Sequence, residues 1–313
     1  MIFRAMNRLR IPLTCLCLAL FMSTCLMSAC FAAEHPSAGK NLSGDRAFAD
    51  VKRLVGFGPR PSGSANLKKA RLWLRTRLTQ AGCKVREERF TASTPLGAIP
   101  MVNLVGEIPG EEQKIIILSA HYETKRFDQF SFVGANDSAS GTALVLQLAG
   151  TLGKRKNRFT YWMVLFDGEE PMGKYWTEQD SLYGSKRMVR QLSARGELGR
   201  IHAVINLDMI GDARLLLRRD DNSTPWLTDL IWTAAKKNGY GRYFSEESTV
   251  IEDDHTPFVR AGVDAVDLID FEYGPRNRYW HTGADTMDKL SPRSLGVMEN
   301  VVLAALGQLE AAP

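Results

Sequence analysis

From residue 114 to residue 312 the chain alternates short continuous apolar runs with longer amphipathic ones, and no other feature limits its fold so tightly. "KIIILSAH" (114–121), "TYWMVLFDGEE" (160–170), "HAVINLDMIG" (202–211) and "DAVDLIDF" (264–271) have strand length. Between and after them, "SGTALVLQLAGTLG" (140–153), "SLYGSKRMVRQL" (181–192), "PWLTDLIWTAAKKNG" (225–239) and the closing "SPRSLGVMENVVLAALGQLEAA" (291–312) read as helices, the last capped by Ser291. A strand that is apolar on both faces must be covered on both faces. Strand–helix alternation implies crossover connections, hence a largely parallel sheet between helical layers. The expected fold is a single α/β domain over 46–313, with a mixed, mostly parallel central sheet flanked by helices. At 313 residues and 44% hydrophobic, the chain has length and apolar content for such a core. In open sheets of this kind ligands bind beyond the carboxyl ends of the strands.

The N-terminus has another character. Arg4, Arg8 and Arg10 precede the apolar stretch "IPLTCLCLALFMSTCLM" (11–27), which small residues follow in "SACFAA". This is the layout of a signal peptide over 1–33; a membrane anchor is the competing reading, and the apolar run is borderline for one. "LMSAC" also loosely resembles a bacterial lipobox ending at Cys30, with Met27 where Leu is usual. The expected location is therefore exported, periplasmic or extracellular, with contact to membrane only through such a lipid anchor. The net charge is +5, but without the three leading arginines about +2 remains, too weak to argue for nucleic acid. Four of five cysteines lie in the leader, leaving Cys83 alone in the body, so no internal disulfide framework or cysteine zinc site is expected.

Polar "HPSAGKNLSGD" (35–45) reads as a linker, assigned to 34–45. "GFGPRPSGS" (56–64) is a loop of turn residues whose Ser64 can cap a helix carrying Leu67, Ala70, Leu74, Leu78 and Ala81, with Gly82 ending it.

Ionisable residues stand where the sheet rule points. His121 closes the first apolar run, Glu169 and Glu170 the second and Asp208 the third; Asp137 precedes a helix and His281 follows the last strand and its loop. Singly, each has an ordinary reading as cap, turn charge or core histidine. Together, two histidines and several carboxylates form a nitrogen and oxygen donor set suited to zinc or another first-row divalent ion. Adjacent glutamates suit a division of labour, one on the metal and one moving protons.

Taken in order, "SAHYET", "GANDSASG", "LFDGEEP", "LDMIG" and "YWHTGADT" resemble the zinc aminopeptidase superfamily, which also contains the animal-type glutaminyl cyclases. The resemblance runs from about Gly56 to the C-terminus. It implies Asp137, Glu170 and His281 as ligands of one zinc and Glu169 as the catalytic acid/base. In the two-zinc peptidases the positions of His121 and Asp208 hold a second zinc bridged by that of Asp137. "VIEDDHTPF" (250–258) separates the branches: peptidases usually read Ser-Asp-His where glutaminyl cyclases, like this chain, read Asp-Asp-His at Asp253-Asp254-His255. "YWTEQDSLYGSKRM" (175–188), with its Trp176, and Trp280 beside His281 are also similar to the cyclases. "QDSLYGS" doubles as an N-cap and helix start.

The resemblance thus identifies the chain as a bacterial member of the glutaminyl-peptide cyclotransferases. It implies conversion of N-terminal glutaminyl residues of peptides or proteins to pyroglutamyl, with release of ammonia. One zinc is expected, with Glu169, Asp208 and Asp253 catalytic and Trp176 and Trp280 walling the substrate pocket. Glu169, Asp208 and Asp253 would crowd near that ion and share protons. An exported two-zinc aminopeptidase is the alternative, and a non-catalytic exported binding protein a third. Glu123 stands where the families have Asp in "HYD", Ala120 and Thr142 lie where animal cyclases carry a cysteine pair, and one extra residue separates Glu170 from Trp176.

Overall fold

The computed structural model describes residues 42–311; the leader, with its signal-peptide and lipobox readings, lies outside them. Helices are α1 (Leu42–Val55), α2 (Ala65–Gln80), α3 (Ala139–Leu152), α4 (Tyr183–Ala194), α5 (Pro225–Lys237), α6 (Thr256–Arg260) and α7 (Pro292–Ala311). Strands are β1 (Lys84–Thr94), β2 (Gly97–Ile108), β3 (Glu112–His121), β4 (Phe159–Phe166), β5 (Ile201–Asp208), β6 (Leu217–Asp220), β7 (Phe244–Thr249) and β8 (Ala265–Ile269). Six of them form one sheet in the order β1-β2-β4-β3-β5-β8. β4, β3, β5 and β8 are mutually parallel, while β1 and β2 are antiparallel additions at one margin. The strands and helices expected between 114 and 312 all form. α1, however, starts at Leu42, inside the stretch assigned as linker.

The parallel strands are apolar throughout because each face has its own core. On β3, Ile116, Leu118 and Ala120 enter the core that includes α1, α3 and α7, while Ile115 and Ile117 enter the other with Met188, Leu192 and Phe258. Each such isoleucine or leucine contributes about 1.5–3 kcal/mol by leaving water. Ser64 accepts from the Leu67 N–H at 3.1 Å and so caps α2, whose Leu67, Ala70, Leu74 and Leu78 are buried as the spacing predicts.

The β1–β2 hairpin was not legible as strands. "KVREERFTAST" crowds charge into β1 because that strand is the sheet edge, where charge costs little and discourages further pairing. α3 lies tight on β5: a Cβ on Gly141 would meet the Leu207 carbonyl oxygen at 2.0 Å. That close approach brings the start of α3, with Asp137 just before it, beside Asp208 at the end of β5.

Candidate active site

The carboxyl ends of β3, β4 and β5 deliver His121, Glu169 with Glu170, and Asp208 to one place. Gly168 makes the turn after β4 at φ +79°, a conformation that favours glycine, and a Cβ there would press on the Met101 side chain, whose Sδ lies 2.6 Å away. The loop between β3 and α3 supplies Asp137, and His281 arrives from beyond β8. His281 Nε2 lies 2.7 Å from Glu170 Oε1 and 3.2 Å from Asp137 Oδ2. The other Asp137 oxygen is 3.2 Å from His121 Nε2, which in turn is 3.3 Å from Asp208 Oδ1. Two donor triads therefore share Asp137: Asp137–Glu170–His281 and His121–Asp137–Asp208, each with ligand atoms mutually within 4.8 Å.

Both triads suit a divalent cation. The cluster concentrates buried carboxylates, and among the described residues Lys125 is the one lysine or arginine in ion-pair contact with the two triads, its Nζ 3.3 Å from Glu170 Oε2. Neither ring nitrogen of buried His121 has a well-formed hydrogen bond. The Glu170 and Asp137 charges overcome burial and push the His281 imidazole up to about 10. A metal ion would supply the positive charge those protons now supply. Asp137, despite burial, is held below the usual carboxylate range by its close contacts with the His121 and His281 imidazoles.

The remaining acids differ in kind. Burial holds Glu169 well above the usual carboxylate range; Glu170, Asp253 and Asp254 push it the same way, against His121. Asp208 is also raised by burial, and Asp253 is pushed up to about 7 by burial and then by the charge of Asp208. A carboxyl raised toward its protonated form is suited to give and take a proton.

The three consecutive acids of "VIEDDHTPF" part company. Glu252 is exposed and pairs with Arg260 at 2.7 Å, an ordinary surface ion pair. Asp253 is buried in the wall of the site and accepts the Asp254 N–H. Asp254 is buried and held well above its usual range by burial and the charge of Asp253. His255, fully buried, meets Asp220 Oδ2 at 2.9 Å, and Asp220 Oδ1 accepts the Ile251 N–H. The Asp220–His255 pair thus anchors the segment from β6.

Together these groups line a cavity of about 320 Å³ whose other walls are apolar: Trp176, Ile251, Ile269, Phe271 and Trp280 among them. Trp280 stacks on His281 with ring centroids 4.0 Å apart and meets Phe271 edge-on at 4.9 Å. Trp176, 39% exposed, forms the lip. Every sequence-predicted site residue thus lies here: Asp137, Glu169, Glu170, Trp176, Asp208, Asp253, Trp280 and His281 in the wall, His121 just behind it.

"QDSLYGS" serves differently from the N-cap expected. α4 begins with no side-chain cap; instead Asp180 accepts the Met172 and Gly173 N–H groups at 3.0 and 2.7 Å, clamping the loop that carries Trp176. Several supporting residues were missed. Arg60, in a loop read only as turn residues, is fully buried and donates to the carbonyls of Tyr122, Val133 and Gly134 and to Ser138 Oγ. It thereby braces the loop bearing Glu123, Lys125 and Asp137. Asp285, in "YWHTGADT", accepts the Asn136 and Asp137 N–H groups. Phe127 and Phe132 approach the His281 ring edge-on. An arginine within a Gly/Pro loop was the one local signal available; its burial, which makes its charge demand partners, belongs to the tertiary structure.

Known proteins give a consistent picture. The profile described as Peptidase family M28 matches residues 103–306. A glutaminyl-peptide cyclotransferase-like protein of Bos taurus is 30% identical over 259 residues, spanning 74% of this chain and 67% of that protein. The crystal structure of an Acidobacteriales bacterium glutaminyl cyclase superposes with TM-score 0.82 at 36% identity, covering 86% of this chain and 94% of that one. A leucine aminopeptidase precursor from Bacteroides thetaiotaomicron superposes with TM-score 0.76 at 26% identity, covering 84% and 96%.

Proposed function

Because this chain belongs to peptidase family M28, we propose that its cavity performs the reaction named by its cyclotransferase relatives: cyclisation of N-terminal glutaminyl residues of peptides to pyroglutamyl, with release of ammonia. The observation that carries this over peptide hydrolysis is Asp253, a buried third acid beside Glu169 and Asp208 in a small, tryptophan-walled cavity.

Asp137, Glu170 and His281 would hold one zinc. Bound there, zinc supplies Lewis acidity toward the side-chain amide carbonyl. Glu169, whose carboxyl burial holds above the usual range, removes a proton from the attacking α-amine and returns one to the departing nitrogen. The bond from the α-nitrogen to the side-chain carbonyl carbon forms, the bond from that carbon to the amide nitrogen breaks, and ammonia leaves. Asp208 and Asp253 orient the amine and tune Glu169 by their charge. Trp176, Trp280 and Phe271 exclude water and limit the pocket to a compact side chain. Attack is intramolecular, so holding the folded-back glutamine is most of the work.

The His121–Asp137–Asp208 triad favours one second reading, a two-zinc aminopeptidase in which Glu169 activates water. Incubation of the metal-loaded enzyme with a Gln-initiated peptide separates the two. Loss of ammonia with one zinc per chain supports the cyclotransferase; loss of the first residue with two required zinc ions replaces it. Export, with removal of 1–33 or lipidation at Cys30, belongs to the same proposal, and rests on the basic, apolar and small-residue order of the leader.

A further inference from the structure

Three clefts adjoin one another, beginning at the catalytic cavity. That cavity shares Trp176 and Glu252 as walls with a second cleft of about 250 Å³. The second shares Glu178, Ser181 and Lys186 with a third of about 400 Å³. The third lies between α4 and the end of β1, where four consecutive residues, Phe90 to Ser93, form one wall. β1 is the edge of the sheet, so among the described residues one row of its backbone N–H and C=O groups has no strand partner. Phe90 pairs with Met101 on β2, and Leu104 on β2 pairs with Leu165 on β4. This end of β1 therefore lies at the same margin of the sheet from which Glu169 and Glu170 emerge.

The charge along this path is uneven. In the second cleft Arg260 is already neutralised by Glu252. In the third, Lys186, Arg187 and Arg190 face a single acid, Glu178. Among the described residues, neither Arg187 nor Arg190 has a carboxylate within ion-pair distance. Lys186 Nζ donates to the carbonyls of Glu178 and Ser181, which holds its charge at the junction of the two clefts.

We infer that this groove receives the downstream residues of the peptide substrate as an extended strand beside Phe90–Ser93, and that it selects acidic side chains there through Arg187 and Arg190. The inference rests on the cyclotransferase reading. An extended segment added to a sheet edge gains main-chain hydrogen bonds, and flanking cations give it charge specificity. Nothing in the catalytic cavity could read residues so far from the glutamine.

The test compares Gln-initiated peptides alike except that residues from the third onward are Glu-rich, Ser-rich or Lys-rich, alongside a Gln-initiated dipeptide amide too short to reach the groove. The purified zinc-loaded enzyme should favour the Glu-rich over the Lys-rich peptide about fivefold or more in kcat/KM at low salt, since two exposed ion pairs act together. The gap should shrink as salt rises. The double variant Arg187→Glu/Arg190→Glu should reverse the preference and leave kcat/KM for the dipeptide amide unchanged, which also reports intact folding. Equal rates on the charged peptides, or an unreversed preference in the double variant, would overturn the groove while leaving the activity standing. Failure to cyclise even the dipeptide amide would overturn the cyclotransferase reading and the groove with it.

Discussion

Glu123 Oε1 accepts two backbone hydrogen bonds from the Glu169–Glu170 turn, from the Glu169 N–H at 2.7 Å and from the Glu170 N–H at 3.1 Å. The acid that departs from the resembled "HYD" pattern thus reaches past His121, whose Nδ1 is 3.6 Å away, and holds in place the two side chains of greatest chemical consequence. Glu123→Asp shortens that arm by one methylene, and the carboxylate cannot serve both N–H groups. Each buried N–H left without a partner costs about 1–3 kcal/mol. The expected outcome is a kcat lowered roughly tenfold with KM little changed, since a small displacement of the proton carrier is costly. Glu123→Gln keeps an acceptor oxygen at the same reach and should retain most of kcat. Steady-state kinetics of the two variants decide; if Asp works as well as Glu, the turn is held by other contacts.

Glu169 and Glu170 are neighbours with opposite assignments. Glu170 Oε1 faces His281 and its Oε2 faces Lys125, an arrangement for holding a cation. Glu169 is kept protonatable by burial. Glu169→Gln should lower turnover by roughly 10² to 10⁴-fold with zinc retained. Glu170→Gln should lose the metal. Elemental analysis beside activity measurements checks both, and near-normal turnover in Glu169→Gln would refute its role.

Asp253 adds a carboxyl where Asp208 already stands, and burial together with the charge of Asp208 raises it against ionisation. Asp253→Ser removes one member of the crowd, and cyclisation should fall steeply, roughly 10²-fold or more if the group aids proton movement. Zinc stoichiometry should rise toward two, because His121 and Asp208 lose a competitor for their charge. Asp253→Asn keeps the shape without the charge and should also be impaired. Full activity in both variants would return Asp253 to the status of a structural turn residue.

Asp270 offers a stability test away from the metal ligands. Its Oδ2 accepts the Leu216 N–H at 2.9 Å, yet burial pushes its carboxyl up to about 7. A folded-state pKa above the unfolded value near 4 means that the folded chain binds the extra proton. Ionisation therefore costs nothing below about pH 4, and the cost grows through neutrality and is complete above about pH 7. Asp270→Asn keeps an acceptor without the charge. Its stability should exceed that of the wild type at pH 8 by an amount on the order of 4 kcal/mol, seen as a higher melting temperature, and the difference should shrink as pH falls and vanish only near pH 4. A gap independent of pH would show that Asp270 is stabilised by something other than its protonation.

What the sequence determined by itself was whatever depends on a residue's place within one element. The runs around Ile116, Met163, Ile205 and Val266 had to be strands covered on both faces. Residues directly after such runs had to emerge at one margin, which is why His121, Glu169, Glu170 and Asp208 could be grouped before any coordinate was known. Their order with Asp137, Asp253 and His281 sufficed for the family. Edge strand β1 escaped, because solvent rather than a second core faces one side and erases the periodicity. Only the tertiary structure decided the partners. It showed that Glu252, Asp253 and Asp254, adjacent in sequence, have a surface, a cavity-wall and a buried fate, because chain direction turns between them while their surroundings depend on Arg260, Asp208 and burial supplied by other elements. It showed Arg60 bracing a loop more than sixty residues away and Asp180 clamping the Trp176 loop rather than capping a helix. Such contacts are set by which surfaces the packed sheet and helices bring together, and a hydrogen bond across that distance leaves no periodic trace in the sequence.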